Sequence, residues 1–243
     1  MSELRALSFG RAAEHYERGR PVWPVAAIDA AGVAPDAHVL DLAAGTGKLT
    51  RVLVERFRRV TAVEPDDAMR ALNRWGEVRS GSAQSIPLDD AEVDAVFVAE
   101  AFHWFADPPA LAEIARVLRP AGTLVLMWTR GDGDWSPAVP GLDALWERLR
   151  ESTPQGPGRE RFFSGEWRGV FADAPFESLQ ETSVAVTHEV DRRGLLSYLL
   201  SQSSIAARPP ADIDAISSEL EGLVPPGRYE LPLHLDVFTT RRL

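Results

Sequence analysis

Val39-Leu-Asp-Leu-Ala-Ala-Gly-Thr-Gly-Lys-Leu-Thr50 is the stretch on which the reading of this 243-residue chain turns. His38 to Leu42 is a short apolar run, and it stops at a loop of small residues, Ala43 to Gly47. Leu49, Val52, Leu53 and Phe57 then recur at helical spacing, with Arg and Glu on the other face. Strand, glycine loop and helix in this order place the loop beyond the carboxyl end of a strand, where open parallel sheets bind ligands. Gly45 and Gly47 lack a Cβ, so the chain can turn tightly and a ligand can lie against bare backbone. The following helix aims free N–H groups at the same place. A nucleotide P-loop is excluded, because Leu42 stands at its first glycine and Leu49 follows Lys48. A dinucleotide fingerprint lacks its third glycine, since Thr50 stands there.

Outward from this stretch the pattern repeats. Val60-Thr-Ala-Val63 reads as a second strand ended by Glu64-Pro65, and Asp66 as the N-cap of a helix running to about Arg74. A short strand around Val78 leads to Gly81, and Val93 to Val98 is another buried strand. Leu111, Ile114, Ala115 and Leu118 mark one helix face; Pro120-Ala-Gly122 ends that helix and introduces the strand Thr123 to Met127. Strands and helices alternating over short connections predict parallel βαβ units in a doubly wound sheet. Later, Leu142, Leu145, Trp146 and Leu149 predict a helix, Ser152 to Gly158 a loop, and Val184 to Val190 and Leu233 to Thr239 alternating strands. Two further helices, around Leu195 to Leu200 and Ile213 to Leu223, are separated by Pro209-Pro210; residues 192–224 read as core packing or as a lid.

Composition narrows the class. At 243 residues, 45% of them hydrophobic, the chain is long enough to bury roughly 70–75% of its unfolded surface without staples. The absence of cysteine excludes disulfides, thiol catalysis and cysteine-held metals. A net charge of -10 argues against a nucleic-acid partner. Neither an apolar stretch of ~18 residues nor an apolar leader in the first ten is seen, so a cytoplasmic protein with no membrane partner is expected. His15, His38, His103, His188 and His234 are dispersed without an i, i+4 pair, so no metal site is expected. No G-x-S-x-G elbow occurs, against a serine hydrolase.

Glu64 brings a specific chemistry. It ends the strand beside the first, so its carboxylate faces the same crevice and can accept two bonds from vicinal ribose hydroxyls. Glycine loop and acidic strand end together mean a nucleoside ligand; the bland alternative is a turn that only connects strand to helix.

These residues resemble the class I S-adenosylmethionine-dependent methyltransferases. Val39 to Thr50 is similar to their motif I, and Val60 to Asp66 with Met69 to their acidic second-strand motif. Gly81-Ser-Ala-Gln84 with Ile86-Pro87 resembles the adenine loop, Val93-Asp-Ala-Val96 the fourth strand, and Leu118-Arg-Pro-Ala-Gly122 the turn before the fifth. Ala101-Phe-His-Trp-Phe105 and the run from Phe9 to Pro24 resemble the small-molecule, trans-aconitate-methyltransferase-like (type 11) subgroup. Beyond Arg130 the resemblance is architectural only.

The resemblance implies an α/β, Rossmann-like doubly wound fold: a mostly parallel seven-stranded sheet, helices on both faces and an antiparallel last strand. It implies one domain, with residues 1–35 as a helical cap, 36–130 as the cofactor core and 131–243 as the remaining strands with helical insertions. Backbone at Asp41, Ala43, Gly45 and Gly47 would line S-adenosylmethionine, Glu64 would hold its ribose, and Met69 would pack on adenine. Ser82, Ala83 and Gln84 would meet the adenine edge, and the Ala99 carbonyl the cofactor amino group. Tyr16 and Arg20 would close the site from the N-terminal side, or form an ordinary solvated helix face. Two departures stand out: Ala43 replaces the first glycine of the commoner motif, and Ser82 an adenine-binding Asp.

His103 is the candidate base after the fourth strand, or a structural histidine among Phe102, Trp104 and Phe105. Glu100, where relatives often have Gln, is a second catalytic candidate or a cofactor contact. Arg130 reads as a fork for a carboxylate acceptor or as a surface ion pair, and Trp128 and Trp135 nearby point to an apolar or planar acceptor. The expected partner is a small-molecule methyl acceptor, and the expected assembly a monomer or homodimer. The rivals are an NAD-dependent oxidoreductase and a cofactor-binding protein without transferase activity.

Overall fold

The structure is a computed structural model that describes residues 13–131, 139–152, 164–206 and 208–243. Its sheet has seven strands: β1 (His38–Leu42), β2 (Arg59–Val63), β3 (Glu77–Arg79), β4 (Val93–Ala99), β5 (Leu118–Gly131), β6 (Gln180–Asp191) and β7 (Arg228–Arg241). Their order is β3-β2-β1-β4-β5-β7-β6, mostly parallel with antiparallel last strands, as the doubly wound reading expects. All five β1 residues are buried, because β1 lies between β2 and β4 and is covered on both faces. The strand order reverses at β1, which opens a crevice at the carboxyl ends of β1 and β4.

The helices follow the apolar spacing with shifted ends. The described N-terminal helices are α1 (Ala13–Gly19) and α2 (Val25–Asp29). After the motif loop, α3 spans Lys48–Arg56 and starts on Gly47. The next, α4 (Asp67–Leu72), is capped by Asp66, which accepts from the Met69 N–H at 2.9 Å. It stops before the expected Arg74, because the Asn73 backbone turns extended and its side chain donates to Thr50 Oγ1 (3.0 Å) and accepts from the Trp75 N–H (3.2 Å). The helix α5 (Pro108–Val117) has Pro108 in its first turn and Asp107 as N-cap, accepting from the Ala110 N–H at 2.8 Å. The turn expected at Pro120-Ala-Gly122 lies inside β5, where the register breaks between the pairs Val93/Leu118 and Ala95/Thr123 and Ala121 has φ 61°. The late strands outrun their apolar alternation, since ladder bonds extend into polar ends such as Gln180 and Arg228. Late helices are α6 (Leu142–Ser152), α7 (Arg192–Leu200), α8 (Ser203–Ala206) and α9 (Pro210–Leu223).

The chain forms two compact units, each drawn from separate stretches. One comprises Met1–Pro21, Arg130–Gly156 and Ala185–His234, the other Val22–Thr129, Pro157–Val184 and Leu235–Leu243. The first unit's core joins Leu142, Leu145 and Leu149 to Leu195, Leu199 and Ile216, so these late-helix faces are spent in that unit's own packing; Ile213 is partly buried. In the second unit, Phe102, Trp128 and Trp167 are buried with Leu111, Ile114 and Phe238 under the sheet. Each such side chain contributes ~1.5–3 kcal/mol. None of the described helices is long and apolar enough to cross a membrane.

Candidate functional site

Three residues of the motif loop adopt left-handed backbone: Ala43 (φ 59°), Gly45 (φ 56°) and Gly47 (φ 88°). The Ala44 N–H donates to the Val63 carbonyl at 3.1 Å and the Gly47 N–H to the Ala44 carbonyl at 3.0 Å, tying the loop to β2 and to itself. Ala43 occupies a conformation that costs an L-residue ~1–2 kcal/mol, which gives a physical reason for the glycine of the commoner motif. A Cβ on Gly47 would lie 2.3 Å from Asn73 Oδ1, whereas one on Gly45 would meet only the end of the Met69 side chain, its methyl at 3.7 Å and its sulfur at 3.9 Å. Gly47 is therefore required by packing, and Gly45 leaves a surface on which a ligand can lie.

Glu64 joins this loop directly. Its Oε2 accepts from the Gly45 N–H at 2.9 Å and its Oε1 from the Asp66 N–H at 2.8 Å. The Arg70 guanidinium donates to the Glu64 carbonyl at 2.9 Å. Burial pushes the Glu64 carboxyl up, opposed by those two N–H groups. A carboxylate has roughly four acceptor positions, so two remain for a ligand. Asp41, in register with Ala62 and Phe97, is also buried, and its Oδ2 accepts from Thr50 Oγ1 at 2.6 Å. Burial pushes it up to about 7, and the Glu64 charge adds to that rise. Neither acid forms an ion pair among the described residues.

The segment expected at the adenine edge is a tight turn closed by reciprocal backbone bonds between Ser82 and Ser85 (3.1 and 3.3 Å). Ala83 is buried beside Ile86 and Leu88 in the unit core. Gln84 is exposed, and its Nε2 donates to Asp107 Oδ2 at 3.0 Å.

At the ends of β4 and β5, Ala99 is in register with Met127, and the Glu100 N–H donates to the Met127 carbonyl at 2.8 Å. Glu100 has φ 57°, uncommon for a residue with a Cβ. Its Oε1 accepts from the Thr129 N–H at 2.6 Å and from the Thr129 hydroxyl. His103 is buried in the 3₁₀ turn Phe102–Trp104, and its Nδ1 accepts from Trp128 Nε1 at 3.0 Å. Trp128 belongs to the core, with ring centroids 4.9 Å from Trp167 and 5.6 Å from Phe238, which removes it as an acceptor-facing wall. Trp135 lies outside the described residues, and Arg130 is half-buried.

Tyr16 and Arg20 lie in the other unit. Arg20 Nε donates to Ser201 Oγ at 3.0 Å, and its guanidinium sits 5.5 Å from the Tyr16 ring and 5.6 Å from that of Tyr198. The structure brings Glu64, Gly45 and Met69 together, and adds Asn73, bonded to Thr50, and Thr129, bonded to Glu100; in the other unit Ser201 and Tyr198 receive Arg20. Asn73 stands near the motifs, but no spacing rule marks it; Thr129 is 29 positions from Glu100. Among the described residues no three acidic or histidine side chains group as a metal site.

Buried acids that form no ion pair among the described residues, beside a bare glycine backbone, fit a ligand that brings ribose hydroxyls and positive charge. Residues 40–126 match the methyltransferase domain family. An uncharacterized methyltransferase of Mycobacterium tuberculosis is 51% identical over 131 residues, 52% of this chain and 54% of that protein, so the chain spans about half the length of this relative. A methyltransferase-like protein of Schizosaccharomyces pombe is 31% identical over 215 residues, 85% of this chain and 81% of that one. A solved structure from Anaeromyxobacter dehalogenans, provisionally named a type II methyltransferase, has 26% identity and a TM-score of 0.66, covering 92% of this chain and 97% of that one. With the glycine loop, the acidic strand end and the strand order in place, the chain belongs to the class I methyltransferase family.

Proposed function

We propose that this chain transfers a methyl group from S-adenosylmethionine to a small-molecule acceptor. The observation that carries the reading is the Glu64 carboxylate on the Gly45 N–H, which puts a ribose-binding acid and a bare backbone surface side by side. When bound, the cofactor supplies an activated methyl on a sulfonium. The protein's part is to hold the nucleoside at Glu64, leave room at Gly45, and keep water from the ends of β1 and β4. Alignment and exclusion of this kind are worth up to ~7–11 kcal/mol. Met69, beside Gly45, would pack on the adenine, the Ser82–Gln84 turn would meet its edge, and the Ala99 carbonyl would take the cofactor's amino group. Glu100 and His103 are the side chains offered to the acceptor. Compartment and assembly follow the expectation of a cytoplasmic monomer or homodimer.

Thr50 argues against the NAD alternative: it is buried and bonded to Asp41 where that fingerprint needs a glycine for close packing. Calorimetry tests the proposal. Glu64→Ala is expected to weaken S-adenosylmethionine binding at least about tenfold, since a hydrogen bond to a charged group is worth ~1.5–3 kcal/mol. Unchanged affinity refutes the ribose role. Labelled-methyl transfer across small carboxylates, phenols and amines separates an enzyme from a protein that only binds the cofactor.

A further inference from the structure

We infer that His103 is a hydrogen-bond donor and cannot serve as the general base, and that Trp128 is the positioning residue that makes it so. An indole N–H has a proton to give and no lone pair to offer. The 3.0 Å contact between Trp128 Nε1 and His103 Nδ1 is therefore a bond to which Nδ1 contributes its lone pair. A neutral imidazole has one lone pair and one N–H, so the ring proton sits on Nε2. A second proton at Nδ1 would set two N–H groups against each other and leave a buried indole donor without its acceptor. Trp128 has no freedom to swing away, because it is 2% exposed and wedged against Trp167 and Phe238.

The His103 ring is held in place as well: it is buried in its 3₁₀ turn, with the Trp104 ring 4.9 Å from it. The other ring nitrogen carries the N–H, and an N–H recognises an oxygen: a carboxylate, carbonyl, phenolate or hydroxyl oxygen. Glu100 has the opposite chemistry, a carboxylate whose Oε1 is taken by Thr129 and whose Oε2 can accept. The identity of the group that Nε2–H meets rests on the methyl-transfer reading above; the tautomer itself does not.

Long-range ¹H–¹⁵N correlation spectra of the full chain at neutral pH test this directly, with His103→Gln used to assign the signals. The expected wild-type result is a pyrrole-like Nε2 and a pyridine-like Nδ1. An Nδ1–H tautomer, or an imidazolium, overturns the proposal. Trp128→Phe is expected to release the ring into a mixture of tautomers; an unchanged tautomer removes Trp128 from the role. Should that variant not fold, the wild-type spectrum still decides, together with the Trp128 indole signal, which is expected to exchange slowly with solvent. In transfer assays His103→Gln, which keeps an N–H donor, is expected to lose less than about tenfold, and a larger loss, of the ~10²–10⁴ size of a missing general base, overturns the assignment. If no acceptor is methylated at all, the methyl-transfer reading fails while the spectra still report on His103.

Discussion

Glu64 and Glu100 end two strands of the same sheet, yet they are held in opposite ways. Glu64 is fixed by main chain: N–H groups of Gly45 and Asp66 take one oxygen each. Glu100 is fixed by Thr129 of the next strand, through both its N–H and its hydroxyl, and its own backbone is left-handed. Backbone donors exist at every position, so the first arrangement needs only a turn of the right shape and an acid at a strand end. The second needs a particular side chain 29 positions away to arrive at the same edge. One edge of the crevice is thus built from local geometry and the other from strand pairing.

The largest expected effect breaks the first edge. Gly47→Ala forces a Cβ into Asn73 at φ 88°, and Asn73 can yield only by giving up its bonds to Thr50 and Trp75. A loss of about 2–3 kcal/mol is expected from backbone strain plus a broken buried bond, read from urea unfolding. Gly45→Ala serves as the control: its Cβ makes only ordinary contact with the end of the Met69 side chain, so it carries the left-handed strain without the clash and should cost less.

Next is a pH effect at the same edge. The folded carboxyl of Asp41 lies near 7, above its unfolded value of 3.8, so the folded state holds an extra proton between them. Its contribution to stability is fully present below the unfolded pKa and is lost as pH rises through 7. Asp41→Asn removes the charge and keeps an acceptor for Thr50, so its Tm should fall less between pH 5 and pH 8 than that of the wild type. Parallel melting curves would show that the buried charge is carried without cost.

The smallest effect probes the second edge. Thr129→Val removes the hydroxyl held by Glu100 and leaves the backbone bond. A loss of about 1 kcal/mol is expected, with no change in S-adenosylmethionine affinity. A loss of cofactor affinity equal to that of Glu64→Ala would erase the distinction between the two edges.

Legibility in the sequence follows the same division. The central strands were readable because burial on both faces turns them into apolar runs, as in β1 and β4. The Asp66 cap was readable because its bond spans three residues. The end of α4 was not: Asn73 leaves the helix to satisfy Thr50, a contact that exists only once α3 and α4 are adjacent. Nor were the lengths of β5, β6 and β7, which ladder bonds extend past their apolar stretches.

The sequence by itself determined the alternation of strands and helices, the turn at Ala43 to Gly47 and the acid that faces it, because apolar period, glycine and the end of a strand are local properties. Tertiary structure alone decided that Trp128 lies in the core with its N–H on His103, that Thr129 holds Glu100, and that Arg20 is received by Ser201. Those bonds join residues 25, 29 and 181 positions apart, and no local rule of spacing reaches across a folded chain to pair a given donor with a given acceptor.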